Sequence, residues 1–372
     1  MKRFKITIFT VARSDLSIMK NIIQNSEIDK KFIPQLVIGS AHNSKIFGKT
    51  KNEVEKLKIK KKYYYNFNYK ESSSGNVLKY FSQTIDETNK YFLKNKPECA
   101  LLIGDRYEML AIAICCLNHN IPIAHFCGGS ETLGSLDDKY RISISKMANF
   151  HFVETKFHKN NLIKNNIKEN LFIVGAPALE ELKRKKISLN IIKNNFNMDL
   201  NLNKKIIMVC FHSETTKPIT QNIKNLKKLI NSILKINENI IFTFPNADAG
   251  FPKYIEIINK KLSNKKNINL VKNLGINNYY SLLEKSDMLI GNSSSGIIES
   301  ASFDIPVINL GDRQKKRYAP SNVHHCAFDV KKIIDTYNKL IKKRKMKYSN
   351  PYFKKDCSKK VLKILYNLLL KI

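Results

Sequence analysis

Short apolar runs, each long enough to cross a sheet and no longer, recur along this chain, and helical periodicity follows almost every one. A strand that is apolar on consecutive residues is buried on both faces, and strands joined through helices pair in parallel. FKITIFT (4–10), QLVIG (35–39), ALLIG (100–104), PIAHF (122–126), FHFVE (150–154) and LFIVG (171–175) form one set. IIMVCF (206–211), IIFTFP (240–245), INLV (268–271), MLIG (288–291) and PVINL (306–310) form a second. Residues 183–205, between the sets, are polar and lack a strong period, which places a domain connection there. With 372 residues, the chain is too long for one ordinary domain. The expected fold is α/β with two Rossmann-like domains, 1–183 and 184–350, and an amphipathic helix at 351–372 packing on the body.

The formal net charge of +34 is the footprint that nucleic-acid binding would leave. Here the excess is lysine, with arginine only at positions 3, 13, 106, 141, 184, 313, 317 and 344, and the lysines are scattered through a background rich in Asn and Ile. That pattern reads as solvated faces, so nucleic acid is not the expected partner. A positive field still favours an anionic substrate such as a nucleotide sugar. The seven cysteines show no CxxC spacing, so neither a zinc site nor a disulfide framework is expected, and no cofactor is called for. No stretch has the layout of a signal peptide and no apolar run approaches bilayer length, so a soluble, cytoplasmic protein without a membrane partner is expected.

In doubly wound sheets ligands bind beyond the carboxyl ends of the strands. Several chemistry-bearing motifs fall at such ends. GDRYE (104–108) puts Asp105 and Arg106 directly after a strand, either as a helix cap with a surface arginine or as a site pair. AHFCGGSETLGSLDDKYR (124–141) brings Glu131, Asp137 and Asp138 within reach of a glycine turn, where converging carboxylates can supply a general acid beside a general base. Solvated loop acids would look the same. His212 opens HSETTKP at the end of another strand, where a histidine can exchange a proton or donate to a phosphate. GNSSSGIIES (291–300) joins a strand to a helical turn through small residues, a setting that suits a phosphate and also suits a plain N-cap at Asn292 or Ser293. In GDRQKKR (311–317), Arg313 can grip a diphosphate with two parallel bonds.

Taken together, GDRYEMLA, IPIAHFCGG, LDD-x-x-R with ISKMA after it, FTFPNADAG, GNSSSGIIE and PVINLGDRQKKR resemble the hydrolysing UDP-N-acetylglucosamine 2-epimerases of sialic-acid and related nonulosonic-acid biosynthesis. The similarity runs from TVARSD to about Val323. It implies two Rossmann-like domains facing across a cleft, the glycosyltransferase-B architecture, in a homodimer or tetramer. It also implies cleavage of a UDP-sugar with inversion at C2, through a glycal, to the free sugar and UDP. Ser294, Ser295 and Gly296 would then hold the diphosphate, with Arg13, Arg106 and Arg313 clamping the nucleotide. Asn246 matches the asparagine of the PN turn, Glu299 an acid facing the ribose, and Asp105, Asp137 and His212 acid–base positions. Where relatives often carry glutamate in the HxE or GGE part of the motif, this chain has Cys127 and Ser130, and Glu131 is expected to take over that duty from one residue further on. A non-hydrolysing 2-epimerase or a glycosyltransferase of the same fold is the alternative, and a basic nucleic-acid-binding module a remote one.

Overall fold

Parallel pairing of fully buried strands organises both halves of the chain. In the computed structural model, β1 (Phe4–Thr10), β2 (Phe32–Ile38), β3 (Lys61–Tyr64), β4 (Cys99–Ile103), β5 (Ile123–Phe126), β6 (Phe150–Val153) and β7 (Leu171–Ile173) form one sheet in the order β3-β2-β1-β4-β5-β6-β7. A second sheet has β8 (Ile206–Cys210), β9 (Asn239–Thr243), β10 (Ile268–Val271), β11 (Met288–Gly291), β12 (Val307–Leu310) and β13 (Val323–Cys326) in the order β10-β9-β8-β11-β12-β13. Every strand pair in both sheets is parallel. The structure describes residues 2–43, 50–67, 74–132, 136–183, 186–245, 250–343 and 346–372.

The chain divides into two units, each with its own core. The first comprises Met1–Ser130, Leu136–Glu181 and Tyr352–Ile372, and the second comprises Glu131–Ser135 and Leu182–Pro351. In the first, Ile6, Ile8, Leu101 and Ala124 from the central strands are fully buried, and Val361, Leu362 and Leu365 of the helix Cys357–Leu369 join the same core. Tyr366 of that helix packs edge-on against Phe4, and Asn25 hydrogen-bonds Ser358 at 2.6 Å. In the second, Ile207, Val209, Ile240 and Ile290 hold the middle of the sheet. No helix among the described residues is long and apolar enough to cross a membrane.

Three features depart from the sequence expectation. β3 and β13 were not anticipated, because KKYY and VHHC are edge strands that stay partly exposed and carry no apolar run. Residues 189–196 of the expected connection form the helix Leu189–Phe196, whose Ile192 packs with Met198 and Leu200 in the second unit's core. The turn opened by the serines is only a four-residue helix, Ser295–Ile298, followed by a 3-10 turn over Ser300–Phe303.

Strand order reverses between β1 and β4 in the first sheet and between β8 and β11 in the second. In doubly wound sheets ligands bind beyond the carboxyl ends of the strands at such switch points. Their flanking residues define the two places to look for a site.

Of the four buried histidines of the first unit, His42 is pushed down to about 4, His125 to about 3 and His151 to about 4, in each case chiefly by burial. Between about pH 6.5 and 4 the unfolded chain binds three protons there that the folded unit refuses, so stability falls on acidification. Asp15, pushed up to about 6 by burial, works the other way over the same window and offsets one of the three. The net two protons correspond to roughly 3 kcal/mol lost per pH unit. Thermal melts between pH 6.5 and 4.5 should show this slope in the first unit, and His151→Gln should reduce it by about half.

Candidate active site

At the switch point of the second sheet, His212 lies two residues beyond the end of β8, and β11 is directly followed by Asn292. Gly291 before it has φ +147° and lies so close to the Cys210 carbonyl that a Cβ would sit 1.8 Å from that oxygen, so only glycine fits. This approach brings the Asn292 side chain onto the His212 backbone. Its Oδ1 accepts from the His212 N–H at 2.7 Å and its Nδ2 donates to the His212 carbonyl at 2.8 Å. The Asn292 carbonyl in turn accepts from Arg313 Nη1 and Gln314 Nε2, both at 3.2 Å. One residue therefore ties together the ends of three neighbouring strands. The His212 ring lies with Nε2 3.1 Å from Cys210 Sγ.

A second brace comes from Glu214, 1 % exposed, whose Oε1 accepts from the backbone N–H groups of Asp312 at 2.9 Å and Arg313 at 3.2 Å. Lys217 pairs with both Glu214 and Asp312. Gly311, at φ +71°, leaves room for that carboxylate, since a Cβ would meet Glu214 Oε1 at 2.6 Å. The GDR turn is thus held rigid from beneath, which fixes the root of the Arg313 side chain.

In the serine turn, Ser293 Oγ accepts from the Ser295 N–H at 3.3 Å, while the Ser294 hydroxyl makes no cap bond. Ser295 Oγ donates to Glu299 Oε2 at 2.6 Å and accepts from Tyr279 at 2.7 Å. Gly296 is buried, and a Cβ there would press on Val307 Cγ1 at 3.0 Å. Asn292 does not cap the turn, because its side chain is committed to His212.

In the first unit the switch point carries a different chemistry. Asp15 Oδ2 accepts from the N–H groups of Val11 at 3.0 Å and Ala12 at 2.9 Å. Arg106 makes two parallel bonds to Glu108, at 3.1 and 2.9 Å. One strand further on, the buried Arg141 pairs with both Asp105 and Asp138 and donates to the Ser130 carbonyl at 2.6 Å. Burial opposes its charge, but Asp105 and then Asp138 outweigh that and raise its pKa. His125 fixes the neighbouring backbone. Its Nε2 faces the Gly104 carbonyl at 2.9 Å, which can only accept, so Nε2 carries the proton and Nδ1 accepts from the Ser145 hydroxyl at 3.0 Å.

Asp137 and Asp138 lie in the first turn of the helix Asp137–Met147, not in a loop. Glu131 clusters with the second unit, where it sits 3.7 Å from Lys316 Nζ. Thr132 beside it accepts from Arg317 at 3.2 Å. Cys127 has φ +61° and points its thiol toward Glu154 Oε1 at 3.7 Å. Asn246 lies outside the described residues, as does the side chain of Arg13. Among the described residues no group of His, Cys, Asp and Glu side chains could hold a metal ion. Asn292, Glu214, His125, Asp15 and Tyr279 were not singled out as site residues from the sequence. Of these, only the strand-end placement of Asn292 and His125 offered a signal.

The fold places the chain among proteins built from two Rossmann-like units. It superposes with a TM-score of 0.83 on the crystal structure of UDP-GlcNAc 2-epimerase from Neisseria meningitidis bound to UDP-GlcNAc, at 20% identity over 99% of this chain and 100% of that one. A Methanocaldococcus jannaschii UDP-GlcNAc 2-epimerase, in complex with UDP-GlcNAc and UDP, gives 0.80 at 20% identity, over 98% and 99% of the two chains. The family model described as UDP-N-acetylglucosamine 2-epimerase matches residues 24–366, and the chain belongs to that family. It is 36% identical over 331 residues to a GDP/UDP-N,N'-diacetylbacillosamine 2-epimerase (hydrolyzing) of Campylobacter jejuni, covering 87% of this chain and 84% of that relative. It is 31% identical over 353 residues to a UDP-N,N'-diacetylbacillosamine 2-epimerase (hydrolyzing) of Legionella pneumophila, covering 94% and 92%.

The Asn292 clasp carries a direct test. Asn292→Ala leaves the buried N–H and carbonyl of His212 without their partners, and each such group costs about 1–3 kcal/mol. Chemical denaturation should show the second unit destabilised by roughly 2–5 kcal/mol, whereas Ser294→Ala should be close to neutral.

Proposed function

We propose that the protein is a hydrolysing 2-epimerase that converts a UDP-linked 2,4-diacetamido sugar, or UDP-GlcNAc, to the free C2-inverted sugar and UDP, for the synthesis of a nonulosonic, sialic-type acid. The observation that carries this reading is that two relatives, at 36% and 31% identity, are described as hydrolysing diacetylbacillosamine 2-epimerases. The strand-end groups supply the matching chemistry.

In the first half-reaction a base takes the C2 proton as the C1–oxygen bond breaks, the bonding pair leaving with the diphosphate and a glycal remaining. In the second, water adds across the new double bond, its hydroxyl to C1 and a proton to C2 on the opposite face. The C2 proton is only weakly acidic, so the departing charge must be stabilised while a positioned base works. Arg313 and the serine turn Ser294, Ser295 and Gly296 are assigned to the diphosphate, and Asn246 and Arg13 to the nucleotide. Glu299 is assigned to the ribose. Asp105, Asp137 and Glu131 are assigned to proton transfer, His212 to the leaving group and Arg106 to the nucleotide. The rigid GDR turn favours Arg313 for its task, because a guanidinium held at its root needs little rearrangement as charge develops.

Incubation in deuterated water with the UDP-2,4-diacetamido sugar, its GDP counterpart and UDP-GlcNAc, followed by NMR, tests the proposal. Free UDP and a C2-inverted sugar deuterated at C2 are expected. A sugar still linked to UDP would place the protein with the non-hydrolysing enzymes, and transfer to an added acceptor would make it a glycosyltransferase. Asp105→Asn should lower kcat about 100-fold or more with UDP binding retained. Glu131→Gln should do the same if its carboxylate moves protons, and unchanged turnover would leave it as a partner of Lys316 alone.

A further inference from the structure

Glu299 follows the helical turn Ser295–Ile298 and is half-buried. Its Oε2 is bonded to Ser295 Oγ, and Ser295 Oγ to the hydroxyl of Tyr279, at 2.6 and 2.7 Å. The direction of this chain is forced. A carboxylate only accepts, so the single serine proton goes to Glu299, and the serine lone pairs are left to accept from the phenol. Desolvation of the hydroxyl, and then the Glu299 charge, push Tyr279 well above the ordinary phenol range, so it keeps the proton it donates. Tyr279 sits on the helix Gly275–Lys285, whose Leu282 and Leu283 are buried in the second unit's core. The relay is therefore anchored to a packed element, while Glu299 itself lies on a short irregular turn.

We propose that Tyr279, acting through Ser295, is the positioning residue that holds the Glu299 carboxylate ready to accept from the hydroxyls of the bound nucleotide's sugar. The inference rests on the nucleotide-sugar reading above. It also divides labour within the serine turn: the Ser295 hydroxyl, its proton committed to Glu299, serves the ribose side, and the diphosphate is left to Ser294, the turn backbone and Arg313. A glutamate side chain has three rotatable bonds. Holding it in place through Ser295 moves the loss of rotamer freedom from the binding step to folding, which is how pre-organisation raises affinity. A fixed acceptor also discriminates, because a sugar lacking one hydroxyl leaves part of that acceptor unmatched.

Calorimetry of UDP and 2′-deoxy-UDP on the full-length protein tests this. Tyr279→Phe keeps the ring and removes only the hydroxyl. It should weaken UDP about 3- to 10-fold, the loss of one hydrogen bond, and narrow the preference for UDP over 2′-deoxy-UDP. Ser295→Ala should weaken UDP at least as much, Ser295→Thr should bind as the wild type does, and Tyr279→Phe added to Ser295→Ala should have no further effect. That last result separates a relay from simple packing, whose losses would add. A wild type that binds UDP, with Tyr279→Phe unchanged or the two effects additive, overturns the relay alone. Should Tyr279→Phe fail to fold, the Ser295→Ala and Ser295→Thr pair decides, since equal affinity in the two overturns it. A wild type that binds neither nucleotide overturns the nucleotide reading, and the relay with it.

Discussion

The side-chain amide of Asn292 grips the backbone of His212 at both its N–H and its carbonyl, and its own carbonyl receives Arg313 and Gln314. A primary amide is the group suited to this task, since it offers a donor and an acceptor at the spacing of a peptide unit. Its reach depends on Gly291, which alone lets β11 come against β8 at the Cys210 carbonyl. Glu214 then fixes the GDR turn from the other side. Sequence-distant segments of the second unit, around positions 212, 292 and 313, are held to each other by hydrogen bonds that sit out of water, where an unmade bond is costly.

The first unit solves the same problem with charge. Arg141 is buried and shared by two aspartates, so its guanidinium fixes Asp105 and Asp138 together and draws in the Ser130 carbonyl. Beside it the neutral His125 does what Asn292 does in the second unit, tying the end of β4 to β5 through the Gly104 carbonyl. The two strand-end clusters thus differ at their centres, one turning on a guanidinium shared by two aspartates and the other on an amide clasp of the backbone that the Glu214 carboxylate, paired with Lys217, braces.

Much of the fold was legible because buried parallel strands announce themselves. All six apolar runs of the first half and all five of the second became strands, since each must be covered on both faces. The edge strands KKYY and VHHC escaped notice because one of their sides meets solvent and no hydrophobic pattern is needed. The helix Leu189–Phe196 escaped because a single buried face of eight residues gives too short a period to stand out in a polar stretch. For the site, sequence marked the strand ends but could not say which polar atoms meet. Arg106 looked like a ligand clamp and is bonded twice to Glu108 two residues on. Ser295 looked like a phosphate donor and gives its proton to Glu299 four residues on. Such pairings depend on side-chain rotamers, which local composition does not encode.

The helix Cys357–Leu369 belongs to the core of the first unit, although the whole of Leu182–Pro351 lies between it and the rest of that unit. During synthesis the second unit is therefore complete before the first can close. At about 5–20 residues per second, the apolar faces of Phe4, Phe32 and the helix Arg13–Ile28 wait roughly fifteen to seventy seconds for Val361, Leu365 and Tyr366 to arrive. The ribosome thus delivers a finished second unit attached to an unfinished first one, and the helix Cys357–Leu369 is the latch that closes the first unit's core.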